Sequence, residues 1–200
     1  LTGELKQLVQ LNQTLANEAK QLTQALKGNT KIQGNWGELV LESVLERAGL
    51  QKGVEFTTQK SLISDSGRRQ QPDVIIHLPD NRHIIIDSKV SLTAYTAYCA
   101  SETEEDKKRA LKAHIDSVQR HISQLGEKNY PDLITSPDFV LAFMPIEPAY
   151  SLAVQADPSL CYKAMDQNVV IVSASTLLAT LKLVVSMWQH TRQSKNAQLI

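Results

Sequence analysis

The chain has 200 residues and a mass of 22.2 kDa, and 42% of its residues are hydrophobic, which excludes a disordered chain. Its 21 basic residues balance 21 acidic ones, which excludes the strongly basic composition of a protein that binds nucleic acid by net charge alone. Cys99 and Cys161 are far apart, so a reducing compartment is expected. With no run of 18 apolar residues and no signal peptide, we expect a soluble, cytoplasmic segment.

Residues 1–27 carry a heptad pattern with spacings of four and three. The seam positions are Leu1, Leu5, Leu8, Asn12, Leu15, Ala19, Leu22 and Leu26. A single polar residue such as Asn12 in an apolar seam is typical of coiled coils in which it fixes the register. The pattern predicts a coiled-coil stalk over residues 1–29 that associates chains into a homo-oligomer. An amphipathic helix lying on its own domain is the alternative.

A second helix is predicted over residues 35–48, ending before Gly49. Its apolar arc consists of Val40, Leu41, Val44, Leu45 and Ala48. At 100° per residue, Glu38 lies about 90° from the centre of that arc, Glu42 about 130° and Glu46 about 170°. Glu38 is therefore expected to border the buried face, and Glu46 to be solvated.

The rest of the chain combines strand and helix patterns. Strands are predicted over residues 54–58, 72–78, 82–90, 139–144 and 169–173. Helices are predicted over 91–100, from a capping box at Thr103 to near Lys128, within 145–168, and from about 175 onward. A polar loop at 64–69 separates the first two strands, and a turn at 79–81 joins the next two as a hairpin. This order predicts a mixed α/β domain over residues 30–200, which we expect to be truncated at its C-terminus.

The hairpin brings three charged residues together. A turn about Asp80 pairs residues whose numbers sum to 160, which places Asp73 opposite Asp87 on one face of the sheet. Lys89 shares that face. Facing carboxylates repel each other unless a cation lies between them, and such hard oxygen ligands suit Mg²⁺ or Mn²⁺. A neighbouring lysine can orient or deprotonate an attacking water. On spacing alone, a surface ion pair between Lys89 and Asp73 is equally open.

The same residues carry a family resemblance. Pro72-Asp73 followed by thirteen residues and Asp87-Ser88-Lys89 resembles the signature of the PD-(D/E)xK nuclease superfamily, as does the order of helices and strands. More closely, five segments resemble the RmuC family of bacterial proteins linked to DNA recombination: Gly34-Asn35-Trp36-Gly37-Glu38, Gln71-Pro72-Asp73-Val74, Asp87-Ser88-Lys89, Phe143-Met144-Pro145-Ile146-Glu147 and residues 188–197. The resemblance covers about residues 30–200 and implies a restriction-endonuclease-like core, with a mixed central sheet flanked by helices.

The resemblance also implies roles for individual residues. Asp73 and Asp87 are expected to bind Mg²⁺ or Mn²⁺, with the Ser88 carbonyl as a further ligand. Lys89 is expected to be the catalytic lysine, and Glu38 the helix carboxylate that completes the metal site. A membrane-anchoring segment is implied upstream of this segment in the full-length protein. The additional QxxxY element of some relatives is not found, so the polarity of DNA cleavage stays open.

Five basic residues are weaker candidates for contacts with DNA phosphates: Lys60, Arg68, Arg69, Arg192 and Lys195. Solvent exposure without any role in binding is the equal alternative for each of them.

Four histidines and one glutamate are the remaining polar candidates. His77 and His83 also sum to 160, and either bind a metal ion as a pair or are exposed near the turn. His114 and His121, seven residues apart on the long helix, are predicted to lie on the surface. Glu147 follows a strand end and is either a site residue or an acid that favours a helix N-terminus.

Two functions fit these residues. The first is a Mg²⁺-dependent deoxyribonuclease, which the complete set of Glu38, Asp73, Asp87 and Lys89 favours. The second is a non-cleaving DNA-binding or scaffold protein on a nuclease fold that limits rearrangement between repeats, which the zero net charge favours slightly. The sequence contains neither G-x-x-x-x-G-K-[ST] nor G-x-G-x-x-G, which disfavours a nucleotide-driven motor.

Overall fold

A computed structural model of the chain describes residues 30–59, 62–63, 69–78, 81–88, 91–128, 130 and 139–197. Within them the helices are α1 (Thr30–Ala48), α2 (Thr93–Ala100), α3 (Glu104–Gly126), α4 (Glu147–Ala156), α5 (Leu160–Met165) and α6 (Ala174–Ala197). The strands are β1 (Phe56–Thr58), β2 (Leu62–Ile63), β3 (Arg69–Gln70), β4 (Val74–His77), β5 (His83–Asp87), β6 (Val140–Met144) and β7 (Val169–Ser173). The predicted coiled coil over residues 1–27 lies outside the described residues.

The five longer strands form one mixed sheet in the order β1-β4-β5-β6-β7. β4 pairs antiparallel with both β1 and β5, whereas β5, β6 and β7 run parallel to one another. Helices α2 and α3 connect β5 to β6, and α4 and α5 connect β6 to β7, as parallel pairing requires. The carboxyl ends of β1, β5, β6 and β7 and the start of β4 therefore meet at one edge of the sheet, which we call the carboxylate edge.

Helices cover both faces of the sheet. On one face, apolar residues of α1 and α6 pack against β4 and β5; among them are Leu41, Leu45, Leu177, Ile76 and Ile86. On the other face, residues of α3, α4 and α5 pack against β5, β6 and β7; among them are Ile122, Leu125, Leu160, Ile85 and Val169. Both faces are buried, which explains why the parallel strands are continuous apolar runs in the sequence.

The predicted mixed α/β class, the five strands and their order are confirmed, with corrections at element ends. β1 begins two residues later than predicted, because the backbone amides of Val54 and Glu55 donate to the Gln51 carbonyl in a turn, at 3.2 and 2.9 Å. The predicted loop at 64–69 overlaps a two-stranded ribbon that the sequence did not predict, in which β2 pairs antiparallel with β3. Two-residue strands are too short to produce a periodic pattern.

The predicted hairpin register is confirmed. Val74 pairs with Ile86, Ile75 with Ile85, Ile76 with Ile84 and His77 with His83, and the numbers of every pair sum to 160. At the turn, Asn81 has a left-handed backbone with φ of 58°, which asparagine tolerates better than most residues. The side chains at positions 73 and 87 are therefore expected on one face of the sheet.

Thr103 is confirmed as the N-cap of α3, with Asp106 as its partner. The hydroxyl of Thr103 accepts a hydrogen bond from the backbone amide of Asp106 at 3.1 Å and donates one to its carboxylate at 2.8 Å. Three acidic residues lie in the first turn of α3, where the helix dipole favours negative charge. At the other end of the helix, Gly126 packs closely, since a Cβ added there would lie 3.0 Å from the carbonyl oxygen of Gln167.

The prediction that His114 and His121 lie on the surface is wrong, because both are buried on the inner face of α3. The buried residues His114, Val118, His121 and Leu125 are spaced by four, three and four, so they share one side of the helix. The His114 Nε2 atom donates a hydrogen bond to the Ala149 carbonyl at 2.9 Å, which ties α3 to α4. Its Nδ1 atom has no hydrogen-bond partner among the described residues.

None of the helices in the described ranges is both long and apolar enough to cross a membrane.

We predict that folding stability declines as pH falls below 6.5, in part because of His114. Burial lowers the pKa of His114 below its ordinary 6.5, so the unfolded chain takes up a proton that the folded chain resists. His114→Gln, which keeps an N–H donor for Ala149, should reduce the loss of unfolding free energy between about pH 7.5 and about pH 5.5 by up to about 1.4 kcal/mol. Urea titrations at the two pH values measure it, and His83→Gln is the control. An unchanged pH dependence in His114→Gln would contradict the prediction.

Candidate active site

Two buried carboxylates lie at the carboxylate edge. Asp73 immediately precedes β4 and is 5% exposed, and Asp87 is the last residue of β5 and has no exposed surface. Ser88 follows Asp87 and is also buried. A carboxylate removed from water needs charged or hydrogen-bonding partners, so the contacts of Asp73 and Asp87 determine what this edge can do.

Asp73 is held by Ser88 on the neighbouring strand. One carboxylate oxygen, Oδ2, accepts a hydrogen bond from the Ser88 backbone amide at 2.7 Å and another from the Ser88 hydroxyl at 3.1 Å. These bonds join the start of β4 to the end of β5 beyond the last ladder pair. The carboxylate of Asp73 and the backbone of Ser88 therefore have a fixed relative position.

Helix α1 approaches the same edge through a glycine. A Cβ added at Gly37 would lie 3.8 Å from the Ser88 carbonyl oxygen and 3.7 Å from the Pro145 side chain, which follows β6. This close approach places the next residue of α1, Glu38, beside the strand ends. As the sequence predicts, Glu38 is partly buried while Glu46 is exposed.

Glu38 is linked to Asp73 through Gln59. The Gln59 side-chain amide donates to the Glu38 carboxylate at 2.8 Å, and the Gln59 backbone amide donates to the Asp73 carbonyl at 2.9 Å. Gln71 in turn donates from its side chain to the Gln59 carbonyl at 2.7 Å. Gln59 adopts a left-handed backbone with φ of 51°, which costs energy for a residue with a side chain. The strained backbone at the end of β1 thus connects the helix carboxylate to the strand.

Asp87 faces two basic side chains of the α3 segment. The ammonium of Lys128, just beyond the end of α3, lies 2.8 Å from its Oδ2 atom. The Nε2 atom of His121 lies 3.9 Å from its Oδ1 atom. The Lys128 side chain is 32% exposed, so this ion pair joins a buried carboxylate to an ammonium that solvent reaches. The sequence predicts neither partner, because both follow Asp87 by dozens of residues. Only the packing of α3 across the sheet brings them to the end of β5.

The donor set fits part of a site for a hard divalent cation. Asp73 and Asp87 offer carboxylate oxygens at the ends of neighbouring strands, and Asp87 already binds a positive charge in the form of the Lys128 ammonium. In the described part of the chain, no three histidine, cysteine, aspartate or glutamate side chains come close enough together to hold a metal ion. The Glu38 carboxylate is engaged by Gln59 instead. The two aspartates are thus the assembled part of the predicted ligand set.

Several predicted site residues are not described. Lys89, Lys60 and Arg68 lie outside the described residues. The backbone of Arg69 belongs to β3, and the backbones of Arg192 and Lys195 belong to α6, but their side chains are not described. Their predicted contacts with water or DNA phosphates stay predictions.

Glu147 links two helices at the carboxylate edge. As the first residue of α4, its carboxylate accepts hydrogen bonds from the Ser175 hydroxyl at 2.6 Å and from the Ser175 backbone amide at 3.4 Å. Ser175 lies in the first turn of α6, so a carboxylate at this position also suits the helix dipole. This contact supports the helix-terminus interpretation of Glu147.

His77 and His83 face each other across the hairpin, as predicted. Their ring centroids are 5.2 Å apart with the rings nearly perpendicular, and the His77 Nε2 atom lies 3.3 Å from the Thr57 hydroxyl. This edge-to-face geometry is a stable aromatic contact that needs no ion.

Comparison with known proteins identifies a family. The model of the RmuC family matches residues 1–200. The chain is 50% identical to the DNA recombination protein RmuC homolog of Vibrio cholerae, 52% identical to that of Pseudomonas aeruginosa and 46% identical to the DNA recombination protein RmuC of Escherichia coli K12. Each match covers 100% of this chain but 39%, 44% and 42% of the relative, so the chain spans about two fifths of their length. No solved structure matches significantly.

We predict that Asp73→Ala lowers the free energy of unfolding by about 2–4 kcal/mol, because it removes the charged acceptor of two buried hydrogen bonds from Ser88. Asp73→Asn keeps one carbonyl acceptor and should cost about half as much. Urea unfolding at neutral pH measures both. Asp116→Ala, on the exposed side of α3, is the control and should change stability by no more than about 0.5 kcal/mol. A loss for Asp73→Ala as small as the control would contradict the structural role.

Proposed function

This chain belongs to the RmuC family, and we propose that it takes part in DNA recombination as a metal-dependent deoxyribonuclease. The observation that carries the proposal is the pair of buried carboxylates, Asp73 and Asp87, at the ends of two adjacent strands. Burying two carboxylates of like charge at the ends of adjacent strands is unfavourable unless cations or hydrogen-bond donors balance them. A hydrolytic metal site requires this kind of arrangement, whereas a purely structural sheet edge does not.

Each residue has a proposed role. Asp73 and Asp87 hold Mg²⁺ or Mn²⁺, and the Ser88 carbonyl, whose position the Asp73 hydrogen bonds fix, provides a further oxygen. Glu38 completes the ligand set once it leaves Gln59. When bound, the ion supplies positive charge that stabilises the phosphate oxygens during phosphodiester hydrolysis. Lys89 orients the attacking water through its ammonium or accepts its proton when neutral.

The architecture supports this assignment. A mixed sheet with helices on both faces carries the carboxylates at a strand end, and α1 brings Glu38 to the same edge. We propose that this is the restriction-endonuclease-like core of the PD-(D/E)xK superfamily, with the motif on β4 and β5. DNA is the proposed partner. The heptad of residues 1–27 is proposed to join chains into a homo-oligomer, and in the full-length protein a membrane anchor is proposed upstream of this segment.

A non-cleaving scaffold is the second candidate, and one observation favours it. The Lys128 ammonium neutralises Asp87 without any metal ion, so the buried carboxylate has an explanation as part of a structural ion pair. On this alternative, the domain binds DNA and limits rearrangement between repeats without hydrolysis.

We predict that Mn²⁺ raises the melting temperature, because it binds the folded state only. At about 100 times its dissociation constant the ion stabilises by about 2.7 kcal/mol, which corresponds to about 5–10 °C for a domain of this size. Differential scanning calorimetry with and without Mn²⁺ measures the shift. The Asp73→Asn, Asp87→Asn double variant should lose it, while Asp157→Asn, which alters a separate pair with Lys163, should keep it. An equal shift in the double variant would place the metal site elsewhere.

We predict that Lys89→Ala lowers DNA cleavage by about 100-fold or more while metal binding and DNA binding are retained, since a positioned acid–base group acts on the chemical step. Asp87→Asn should reduce both cleavage and metal affinity because a ligand is lost. Supercoiled-plasmid and labelled-hairpin assays with Mg²⁺ measure cleavage. Equal cleavage by Lys89→Ala and the unmodified protein would refute the assigned mechanism, and DNA binding without any cleavage by the unmodified protein would favour the scaffold.

A further inference from the structure

We propose that Lys128 is a resident counter-ion that a divalent metal ion must displace from Asp87. The inference rests on the proposed function, because it concerns access of the ion to the same carboxylate. Lys128 is then a positioning residue: it holds the Asp87 carboxylate in place through a direct ion pair, and it weakens metal binding because the ion must compete with it.

The geometry places the ammonium where it competes with a metal ion. The Lys128 Nζ atom is 2.8 Å from Asp87 Oδ2, which is the distance of a short charge-assisted hydrogen bond. Because Asp87 is fully buried, the Lys128 side chain must extend inward from the surface to make this contact. A metal ion also needs direct contact with an Asp87 oxygen, so it gains less from Asp87 while the ammonium shares that carboxylate.

The other oxygen does not remove the competition. Asp87 Oδ1 faces His121, whose Nε2 atom is 3.9 Å away on the inner face of α3. Asp73 cannot replace Asp87 either, since its Oδ2 atom is already bound to the Ser88 amide and hydroxyl. Charge balance points the same way, because the ion and Lys128 would repel each other at one carboxylate.

Lys128 is built so that it can leave. It lies two residues beyond α3, its side chain is 32% exposed, and four methylenes carry its charge. In the same position the Lys128 Nζ atom is 5.3 Å from the centre of the Tyr130 ring, so the ring can keep a favourable contact with the ammonium when it leaves the carboxylate. By contrast, His121 is buried within α3 and cannot move without disturbing the core.

The first experiment measures Mn²⁺ binding by isothermal titration calorimetry at pH 8. We expect Lys128→Met, which keeps an unbranched side chain one atom shorter and without charge, to bind Mn²⁺ about tenfold more tightly than the unmodified protein. Lys128→Arg, which keeps the charge, should bind no more tightly. Lys163→Met is the matched control, because Lys163 also forms a lysine–aspartate pair, at 3.0 Å from Asp157, that does not involve Asp73 or Asp87.

The outcomes separate the inference from the function on which it rests. Equal Mn²⁺ affinity in the unmodified protein, Lys128→Met and Lys163→Met overturns the displacement model while leaving the metal site intact. No Mn²⁺ binding in any of these proteins overturns the proposed metal site and the inference together.

A second experiment uses the unmodified protein, so it holds even if Lys128→Met fails to fold. Lysines are acetylated briefly with an N-hydroxysuccinimide ester, with and without Mn²⁺, and the modified sites are quantified by mass spectrometry. Displacement predicts that Mn²⁺ increases acetylation of Lys128 severalfold and leaves Lys163 unchanged. If Mn²⁺ binds in calorimetry yet acetylation of Lys128 does not rise, the ammonium stays on Asp87 and the inference is wrong.

Discussion

A carboxylate without exposed surface, Asp87, constrains how this domain can be assembled. Its negative charge at the end of β5 must be balanced from within the protein, and the balance comes from α3, which packs across the sheet and ends beside the strand. The segment that connects β5 to β6 thus also supplies the counter-charge, because Lys128 lies near its far end. Ser88 completes the arrangement by tying Asp73 to the same strand end.

The mixed topology allows these polar groups to lie together at the strand ends, outside the apolar core. Because β4 runs antiparallel to both β1 and β5 while β6 and β7 run parallel to β5, one strand start and four strand ends share an edge. The interiors of β4, β5, β6 and β7 are left apolar and pack against helices on both faces. The two buried carboxylates lie at the strand ends, where backbone groups beyond the ladder are available as hydrogen-bond partners.

How far the sequence predicts this structure depends on the distance over which each signal acts. The hairpin register followed from a turn and a two-residue period, and the start of α3 from Thr103 and Asp106, since both are local patterns. The pairing of Asp87 with Lys128 spans 41 residues and follows only from the packing of a crossover helix. The prediction of a surface position for His114 is wrong for a different reason. A polar ring can lie within an apolar stripe when a carbonyl of a neighbouring helix accepts its hydrogen bond.

The close packing of Gly126 links two distant parts of the domain. The last turn of α3 rests on the Gln167 carbonyl, just before β7, with only a hydrogen atom filling the space where other residues carry a methyl group. The end of α3 therefore has a fixed position relative to the turn before β7. Lys128 lies two residues beyond α3, so the same contact also limits where its ammonium can lie. A shift of a few tenths of an ångström at that turn would change the distance between the Lys128 ammonium and the Asp87 carboxylate, on the opposite side of β6. The turn before β7 thus influences how well the charge of Asp87 is balanced.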